Sequence, residues 1–364
     1  MFSKIEWAIF FILLSCKSIL DFEYLQSLIF MLKSIQNLLY CPICHDSLAW
    51  DIQKETDHRI IDAEVSCIAC HKSYFVKNGI AIFLLDASND EDFWKVVQSN
   101  LSKALRSNPE YERKLMQTDL DNLNPADKLL HSMILDERGD YDTAREIRAE
   151  AVRDLYTSSY TQAYQEKKTQ LQKLLSDKTG VIIDIASGMG GFAELFSELE
   201  NPVILSDISP SILQRNKDRL EHFGIYEKVS LIAFDARKMP FKEKSVEVIT
   251  TNMGLTNITS SEEFLNELVR CLGGVAYFLT FFFPDNGDAN ADVLIEHNME
   301  FGFKNRLLSM SSPLLETQIL FEDVSSVEPT VSSEIFDIGI DGLPVISTDI
   351  TWAIVQFSPL EDDS

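Results

Sequence analysis

The sequence predicts an α/β fold built on a mostly parallel sheet, and three observations support this prediction. After Gly180, short apolar runs alternate with segments of helical period, as in a sheet covered by helices on both faces. A glycine-rich turn, "IDIASGMGG", follows the first of these apolar runs. Two C-x-x-C pairs lie near the amino terminus within short alternating segments, which indicates a small separate unit there.

The chain has 364 residues and 45% hydrophobic composition, which is enough for more than one domain. We predict a hydrophobic N-terminal extension over residues 1–36, a cysteine-bearing unit over 37–86, a helical connector or lid over 87–176, and the α/β domain over 177–364. The apolar run at residues 7–14 is too short to span a bilayer. Translation starting at Met31, a docking helix and a membrane anchor are the alternatives for this extension.

The formal net charge is −25, with 57 acidic residues against 32 basic ones. Such a surface repels phosphate backbones, whereas a dedicated nucleic-acid-binding protein normally carries a basic patch. We therefore expect neither nucleic acid nor a membrane as a partner. We expect a cytoplasmic location, with membrane association of the N-terminal extension left open.

Four of the six cysteines form two pairs, Cys41-x-x-Cys44 and Cys67-x-x-Cys70. Two such pairs can place four thiolates around one zinc ion, and this usage is typical of a reducing compartment rather than of a disulfide framework. Because four protein ligands leave no open coordination position, we expect a structural Zn²⁺. Four free cysteines in a reduced core are the alternative.

The stretches "LLYCPICHDSL" and "VSCIACHKSYFVKNGIAIFL" resemble a zinc-ribbon module. That module occurs alone as a partner of methyltransferases and also fused in front of them. Asn78 stands where the module has an aspartate before the glycine. The resemblance implies a zinc ribbon over residues 37–86, through which the chain could bind a protein partner. His45 and His71, each directly after a cysteine, are expected outside the ligand set or exposed.

Polar side chains come at the ends of four successive predicted strands: Asp184, Asp207, Asp235 and Asn252. Ligands of open α/β sheets bind outside the carboxyl ends of the strands, so these residues point to one crevice. An aspartate at a strand end can also be a helix cap, and only the joint spacing favours a site.

The residue types in this crevice match parts of a nucleoside ligand. Gly188 and Gly190 lack side chains, so the backbone can turn sharply and approach a ligand closely. Asp207 is placed to accept hydrogen bonds from two ribose hydroxyls. Asp235 could accept a hydrogen bond from the adenine amino group, while Ala236 leaves room for the ring.

Asp184 distinguishes two interpretations of the glycine turn. Gly188, Gly190 and Ala193 also match the dinucleotide fingerprint G-x-G-x-x-A. A carboxylate at position 184 would repel a diphosphate and favour a sulfonium or a cationic amino acid.

The stretches "VIIDIASGMGGF", "VILSDIS", "FDARKMPFKEKSVEVITTN" and "CLGGVAYF" resemble class I S-adenosylmethionine (SAM)-dependent methyltransferases. The resemblance implies a Rossmann-like sheet of seven strands with the last one inserted antiparallel, and SAM as cofactor. The chain departs from the usual pattern at Ala186, Ser187 and Glu247, although Ala186 is small enough to preserve the turn. The predicted SAM-binding residues are Asp184, Ala186, Gly188, Gly190, Asp207, Ile208, Asp235, Ala236 and Asn252.

The methyl acceptor is poorly defined by the sequence. The tripeptide Asn252-Met253-Gly254 lacks the prolines and aromatic residue of amino-directed nucleic-acid methyltransferases. Methyl transfer needs mainly an in-line nucleophile and a desolvated site, so we assign no catalytic residue. Tyr160 and Tyr164 either close over the cofactor or pack on a helix face.

We expect a methyltransferase for an unidentified acceptor, a small molecule or a protein. One alternative is an rRNA guanine methyltransferase whose zinc ribbon recognises RNA. The other is a non-catalytic binding protein that keeps the SAM fold.

Overall fold

The computed structural model describes residues 32–84, 108–188, 193–196, 198–337 and 339–360. Outside these ranges lie the apolar run at residues 7–14 and Gly190 of the glycine turn. No helix within the described ranges is both long enough and apolar enough to cross a membrane.

A single sheet of 11 strands has the order β1-β2-β3-β4-β7-β6-β5-β8-β9-β11-β10. Its strands are β1 (Leu48–Glu55), β2 (Ile60–Cys67), β3 (Ser73–Lys77), β4 (Ile80–Ile82), β5 (Ile182–Asp184), β6 (Val203–Asp207), β7 (Val229–Ala233), β8 (Val246–Asn252), β9 (Leu272–Phe282), β10 (Leu315–Val327) and β11 (Thr348–Pro359). The α-helices are α1 (Leu32–Ile35), α2 (Pro109–Gln117), α3 (Pro125–Glu137), α4 (Tyr141–Leu155), α5 (Ser158–Ser176), α6 (Ala193–Phe196), α7 (Pro210–His222), α8 (Ser261–Cys271), α9 (Ala289–Glu296) and α10 (Lys304–Ser311).

The seven strands from β5 to β11 form the sheet that the sequence predicts. Strands β5 to β9 pair in parallel, and β11 runs antiparallel between β9 and β10. Every residue of β5, β6 and β7 is buried, because helices cover both faces of a parallel sheet. The carboxyl ends of β5, β6, β7 and β8 therefore lie along one edge.

The zinc-ribbon segment extends this sheet by four strands. Strands β1 to β4 form an antiparallel meander, and β4 pairs in parallel with β7. The guanidinium of Arg59 lies 4.0 Å from the centroid of the Tyr226 ring and donates hydrogen bonds to the carbonyl oxygens of Tyr226 and Val229. The sheet thus has 11 strands instead of the predicted seven, because the ribbon covers the β7 edge that would otherwise carry unpaired backbone groups.

The helices between the ribbon and β5 begin where the sequence has prolines. Pro109 and Pro125 occupy the first positions of α2 and α3, where a missing N–H costs no hydrogen bond. Leu115 and Ile134 from these helices pack with Phe336 of the loop between β10 and β11, residues 328–347. Helix α5, by contrast, contacts β9, β10 and β11 of the sheet directly. The predicted domain boundaries at residues 36, 86 and 176 stay a prediction.

Candidate cofactor crevice and cysteine cluster

The glycine turn leaves the end of β5 in a left-handed conformation. Ala186 has φ 50° and Gly188 has φ 52°. The Ser187 amide donates a hydrogen bond to the Ser206 carbonyl oxygen at 2.8 Å, and the Gly188 amide donates one to Asp207 Oδ2 at 2.9 Å. These two bonds attach the turn to the end of β6, and they compensate for the strain at Ala186, which has a Cβ atom in a region that favours glycine.

Gly254 packs against the same turn, a role that sequence reasoning missed. A Cβ atom on Gly254 would lie 2.5 Å from Thr251 Oγ1 and 2.7 Å from the Ala186 Cβ. Because real Cβ atoms do not approach so closely, only glycine fits here without moving the turn. A single glycine after a strand gives no signal by which this contact could be predicted.

Asp184 is fully buried at the end of β5. Neither of its carboxylate oxygens has a hydrogen-bond partner among the described residues. Burial raises the pKa of Asp184 to about 8, and the nearby negative charge of Asp207 acts in the same direction. An unpartnered buried carboxylate is costly, so a positively charged ligand group beside Asp184 would be strongly favoured.

Asp207 ends β6 with its carboxylate held from two sides. Gly188 donates its amide hydrogen to Oδ2, and Ser209 donates its amide hydrogen to Oδ1 at 2.9 Å. Burial nevertheless raises the pKa of Asp207. Each carboxylate oxygen has a second lone pair, so the fixed Asp207 can still accept two ligand hydroxyls. The adjacent Ile208 is 56% exposed and offers an apolar surface at the rim of the crevice.

Asp235 lies two residues beyond β7 and is paired with Arg237. The Arg237 guanidinium donates two hydrogen bonds to the Asp235 carboxylate, from Nε to Oδ1 at 2.9 Å and from Nη2 to Oδ2 at 2.6 Å. Burial alone would raise the pKa of Asp235, but the Arg237 hydrogen bonds and charge hold it below its usual value. The neighbouring Ala236 is half-buried. Arg237 was not among the predicted site residues, although its spacing from Asp235 would have permitted the inference.

Asn252 ends β8 and contacts α5. Its Nδ2 donates a hydrogen bond to the Tyr164 hydroxyl at 2.8 Å, whereas its Oδ1 has no partner among the described residues. Burial raises the pKa of Tyr164, and the Asp184 charge contributes to the increase. Tyr164 therefore belongs to the crevice, and the structure brings it together with Asn252 and Asp184.

A cavity of about 460 Å³ lies next to this crevice. Met253, directly after Asn252, forms part of its wall, and so does Tyr160, which is one helical turn before Tyr164 on α5. The loop at residues 328–347 supplies further walls, and the rings of Phe281 and Phe283 lie at the end of β9. This cavity could not be predicted from the sequence, because its walls come from distant parts of the chain.

The four paired cysteines converge at the turns that precede β1 and β3. The Sγ atoms of Cys41, Cys44, Cys67 and Cys70 all lie within 4.8 Å of one another. His45 and His71 do not belong to this cluster. Each of them adopts a positive φ. The His45 amide donates a hydrogen bond to the Cys41 carbonyl oxygen at 2.9 Å, and the His71 amide donates one to the Cys67 carbonyl oxygen at 3.1 Å. Both histidines therefore shape the turns that present the sulfur atoms.

This donor set fits a metal ion. Four thiol sulfurs at this separation are the ligands that tetrahedral Zn²⁺ or an iron–sulfur centre takes, and the arrangement leaves no position for a substrate. Cys41 and Cys67 are buried, and the Tyr74 hydroxyl lies 3.3 Å from Cys41 Sγ.

Comparison with known proteins agrees with the geometry of the crevice. Residues 150–287 match the model of the ubiE/COQ5 methyltransferase family. The resemblance to class I SAM-dependent methyltransferases is confirmed. The matched region begins within α4 and includes α5, the glycine turn and the strand ends of the crevice.

Curated relatives match part of the chain. A 110-residue stretch is 36% identical to the ubiquinone/menaquinone biosynthesis C-methyltransferase UbiE of Pseudomonas fluorescens strain Pf0-1, and covers 29% of this chain and 43% of that protein. The corresponding protein of Pseudomonas putida strain GB-1 has the same identity and coverage. The chain therefore matches less than half the length of these relatives. The rRNA methyltransferase alternative is not supported by these comparisons.

Among solved structures, the YcgJ protein of Bacillus subtilis is similar over 54% of this chain and 99% of its own, with 16% identity and a TM-score of 0.43. A putative methyltransferase from Bacillus halodurans is similar over 54% of this chain and 100% of its own, with 17% identity and a TM-score of 0.42.

Proposed function

We propose that the protein is a SAM-dependent methyltransferase whose acceptor is a small molecule. The observation that carries the proposal is the buried carboxylate of Asp184, which has no hydrogen-bond partner among the described residues and lies near the fixed carboxylate of Asp207. A crevice of this kind suits a ligand that combines a positive charge with a ribose. The match to a methyltransferase family over residues 150–287 supports the same conclusion.

SAM would supply a methyl group on a positively charged sulfur. Asp184 would stabilise the positive charge of the bound amino acid part, and Asp207 would accept hydrogen bonds from the ribose hydroxyls. Asp235, held in place by Arg237, would accept one from the adenine amino group, with Ala236 and Ile208 against the ring. Asn252 and Tyr164 would border the reacting end.

The cavity beside Met253 supports a small acceptor. Its volume of about 460 Å³ lies within the range that small-molecule sites occupy. An acceptor held there would face the carboxyl ends of β8 and β9, next to Asn252. The relatives are named for a C-methyltransferase step in ubiquinone/menaquinone biosynthesis, so a quinol-type ring is one candidate acceptor.

Zn²⁺ held by the four cysteines is the second part of the proposal. With all four ligands from the protein, the ion would stabilise the ribbon and take no part in methyl transfer. We also propose that the ribbon binds a protein partner.

Transfer of a labelled methyl group from SAM to size-fractionated cell extract tests this function. We expect label in the small-molecule fraction with the wild-type protein, a strong decrease with Asp207→Asn, and no change with Asp218→Asn, an exposed carboxylate on α7. Label only in protein would contradict the acceptor class. Binding of SAM without any labelled product would support the non-catalytic alternative.

A further inference from the structure

We propose that the cavity beside the cofactor crevice recognises an organic cation, a small protonated amine with an apolar body. This inference rests on the proposed function, since it names the class of acceptor for the same site. It differs from the acceptor class in the relatives' names, because a quinol-type ring carries no positive charge.

The charges of the cavity wall are all of one sign. Asp154, Glu328 and Asp341 line it, and none of the described residues that line it is a lysine, arginine or histidine. Asp154 pairs with Arg153 at 3.4 Å, so Glu328 and Asp341 carry most of the negative potential. A phosphate or carboxylate on the acceptor would be repelled here, whereas a cation would be attracted.

Aromatic rings form the other part of the cavity wall. The rings of Tyr156 and Tyr160 stack with centroids 4.8 Å apart, and the Phe281 ring lies 6.4 Å from Tyr160 in an edge-on arrangement. The face of an aromatic ring carries partial negative charge and binds ammonium groups. Carboxylates combined with ring faces are therefore a recognition surface for an amine.

Tyr156 links the two parts of this surface. Its hydroxyl donates a hydrogen bond to Asp341 Oδ2 at 2.8 Å, across 185 positions of sequence. The bond fixes the carboxylate beside the stacked rings, and the remaining lone pairs of Asp341 can accept from an ammonium group. Burial raises the pKa of Tyr156, so its hydroxyl keeps the proton that it donates. The loop at residues 328–347 thus contributes Glu328 and Asp341, while the rings come from Tyr156 directly after α4, Tyr160 on α5 and Phe281 on β9.

A neutral ring would use only half of this surface. It would pack on Tyr156, Tyr160 and Phe281 but bring no positive charge to Asp341 and Glu328. Matched ligands that differ only in charge therefore separate the two acceptor classes.

Benzylamine, benzyl alcohol and benzoate share one ring and carry a positive charge, no charge and a negative charge. We expect full-length protein saturated with S-adenosylhomocysteine to bind benzylamine at least about tenfold more tightly than benzyl alcohol, and benzoate most weakly of the three. Titration calorimetry or ligand-observed NMR gives the order. Equal affinity for amine and alcohol, or tightest binding of benzoate, would overturn the inference.

Two variants make the test specific to Asp341. Asp341→Asn should remove most of the preference for benzylamine and leave the affinity for benzyl alcohol unchanged. Asp337→Asn makes the same chemical change at an exposed position of the same loop that does not line the cavity, and should keep the wild-type order. An unchanged preference in Asp341→Asn would contradict the assigned role of this residue.

Failure of this inference differs from failure of the proposed function. If S-adenosylhomocysteine binds but the amine is not preferred, only the acceptor class is overturned. If S-adenosylhomocysteine does not bind, the proposed function fails. In that case, benzylamine, benzyl alcohol and benzoate can still be compared on the free protein. We expect the same order of affinities there, with benzylamine tightest and benzoate weakest.

Discussion

The hydroxyl of Tyr164 accepts a hydrogen bond from Asn252 Nδ2, and this contact joins α5 to the carboxyl end of β8. Tyr160, one helical turn earlier, lines the neighbouring cavity and packs edge-on against the buried Trp352 at 5.0 Å. One helix therefore borders both the cofactor crevice and the cavity. Under the proposed function, α5 holds the two sites in a fixed relation, which methyl transfer needs because its barrier depends on in-line geometry.

Tyr164→Phe should lower kcat/KM for methyl transfer by about tenfold, the value of one hydrogen bond in a partly buried site. The substitution keeps the ring against Trp352 and removes only the partner of Asn252. Steady-state kinetics with the acceptor found by labelling gives the comparison. Tyr111→Phe, at an exposed position on α2, is the control and should retain full activity. Wild-type kinetics for Tyr164→Phe would exclude a role for this contact.

Asp207→Asn should weaken binding of S-adenosylhomocysteine by about 10- to 100-fold, because hydrogen bonds to a charged group are worth roughly 1.5–3 kcal/mol. The asparagine would also turn its amide nitrogen toward an N–H donor, either that of Gly188 or that of Ser209. Titration calorimetry measures the change, with Asp218→Asn as the control. If Asp207→Asn bound the ligand as tightly as the wild type, the ribose assignment would be wrong.

Binding of SAM should depend on the protonation of Asp184. Burial raises the pKa of Asp184 to about 8, so below that pH the carboxyl is largely neutral in the free protein. A cationic ligand binds the ionised form, and the affinity for SAM should rise by up to about tenfold per pH unit as the pH approaches that value. S-adenosylhomocysteine keeps the charged amino acid part and should show the same dependence. In Asp184→Asn neither affinity should change with pH over this range. A wild-type affinity that is flat over this range would contradict the charge role.

Asp184 should lower the stability of the free protein as the pH rises. Because its pKa is higher in the folded than in the unfolded chain, the unfolded chain releases the proton first. The contribution of Asp184 to the free energy of unfolding therefore falls between about pH 4 and about pH 8. Denaturant unfolding should show Asp184→Asn gaining stability relative to the wild type toward pH 8 while losing affinity for SAM. A variant that loses both at pH 8 would indicate that the carboxylate has a structural partner.

Gly254→Ala should weaken SAM binding because its new Cβ would collide with Thr251 and Ala186. The turn must move to accept it, and this carries Gly188 away from Asp207. Gly342→Ala has no atom within 4 Å of the new Cβ and serves as the control, with unchanged affinity expected. Equal affinities in the two variants would show that the turn tolerates displacement.

Under the proposed zinc site, removal of the ion should destabilise the sheet domain as well as the ribbon. Strand β4 pairs with β7, and Arg59 is anchored on Tyr226 and Val229, so loss of the ribbon would uncover the β7 edge. We expect a chelator, or Cys67→Ser, to lower both the zinc content and the Tm. Cys271→Ala, a cysteine outside the cluster, should retain its zinc. Metal analysis and thermal unfolding test this, and an unchanged Tm after complete zinc loss would contradict it.

The strand ends of the crevice could be predicted because they follow from local patterns. Apolar runs that end in Asp184, Asp207 and Asn252 reveal strands, and parallel strands align their carboxyl ends by geometry. The positions of Cys41 and Cys67 likewise follow from tight turns at metal-binding spacing. Each of these inferences needs only a few consecutive residues.

Contacts between distant segments could not be predicted in this way. Nothing in the spacing near Ile80 indicates that β4 would pair with β7, or that Arg59 would lie on Tyr226. The bond from Tyr156 to Asp341 joins the residue after α4 to a loop far along the chain, and Phe336 of that loop packs against α2 and α3. Such contacts depend on how whole helices and strands pack together, and the periodicity of hydrophobic residues along the sequence does not specify that packing.

Titration of freshly purified full-length protein with SAM is the most direct test of the account. We predict saturable binding of one SAM per chain, weakened by Asp207→Asn and unaffected by Asp218→Asn. Absence of binding at millimolar SAM would contradict the central claim that this crevice holds the methyl donor.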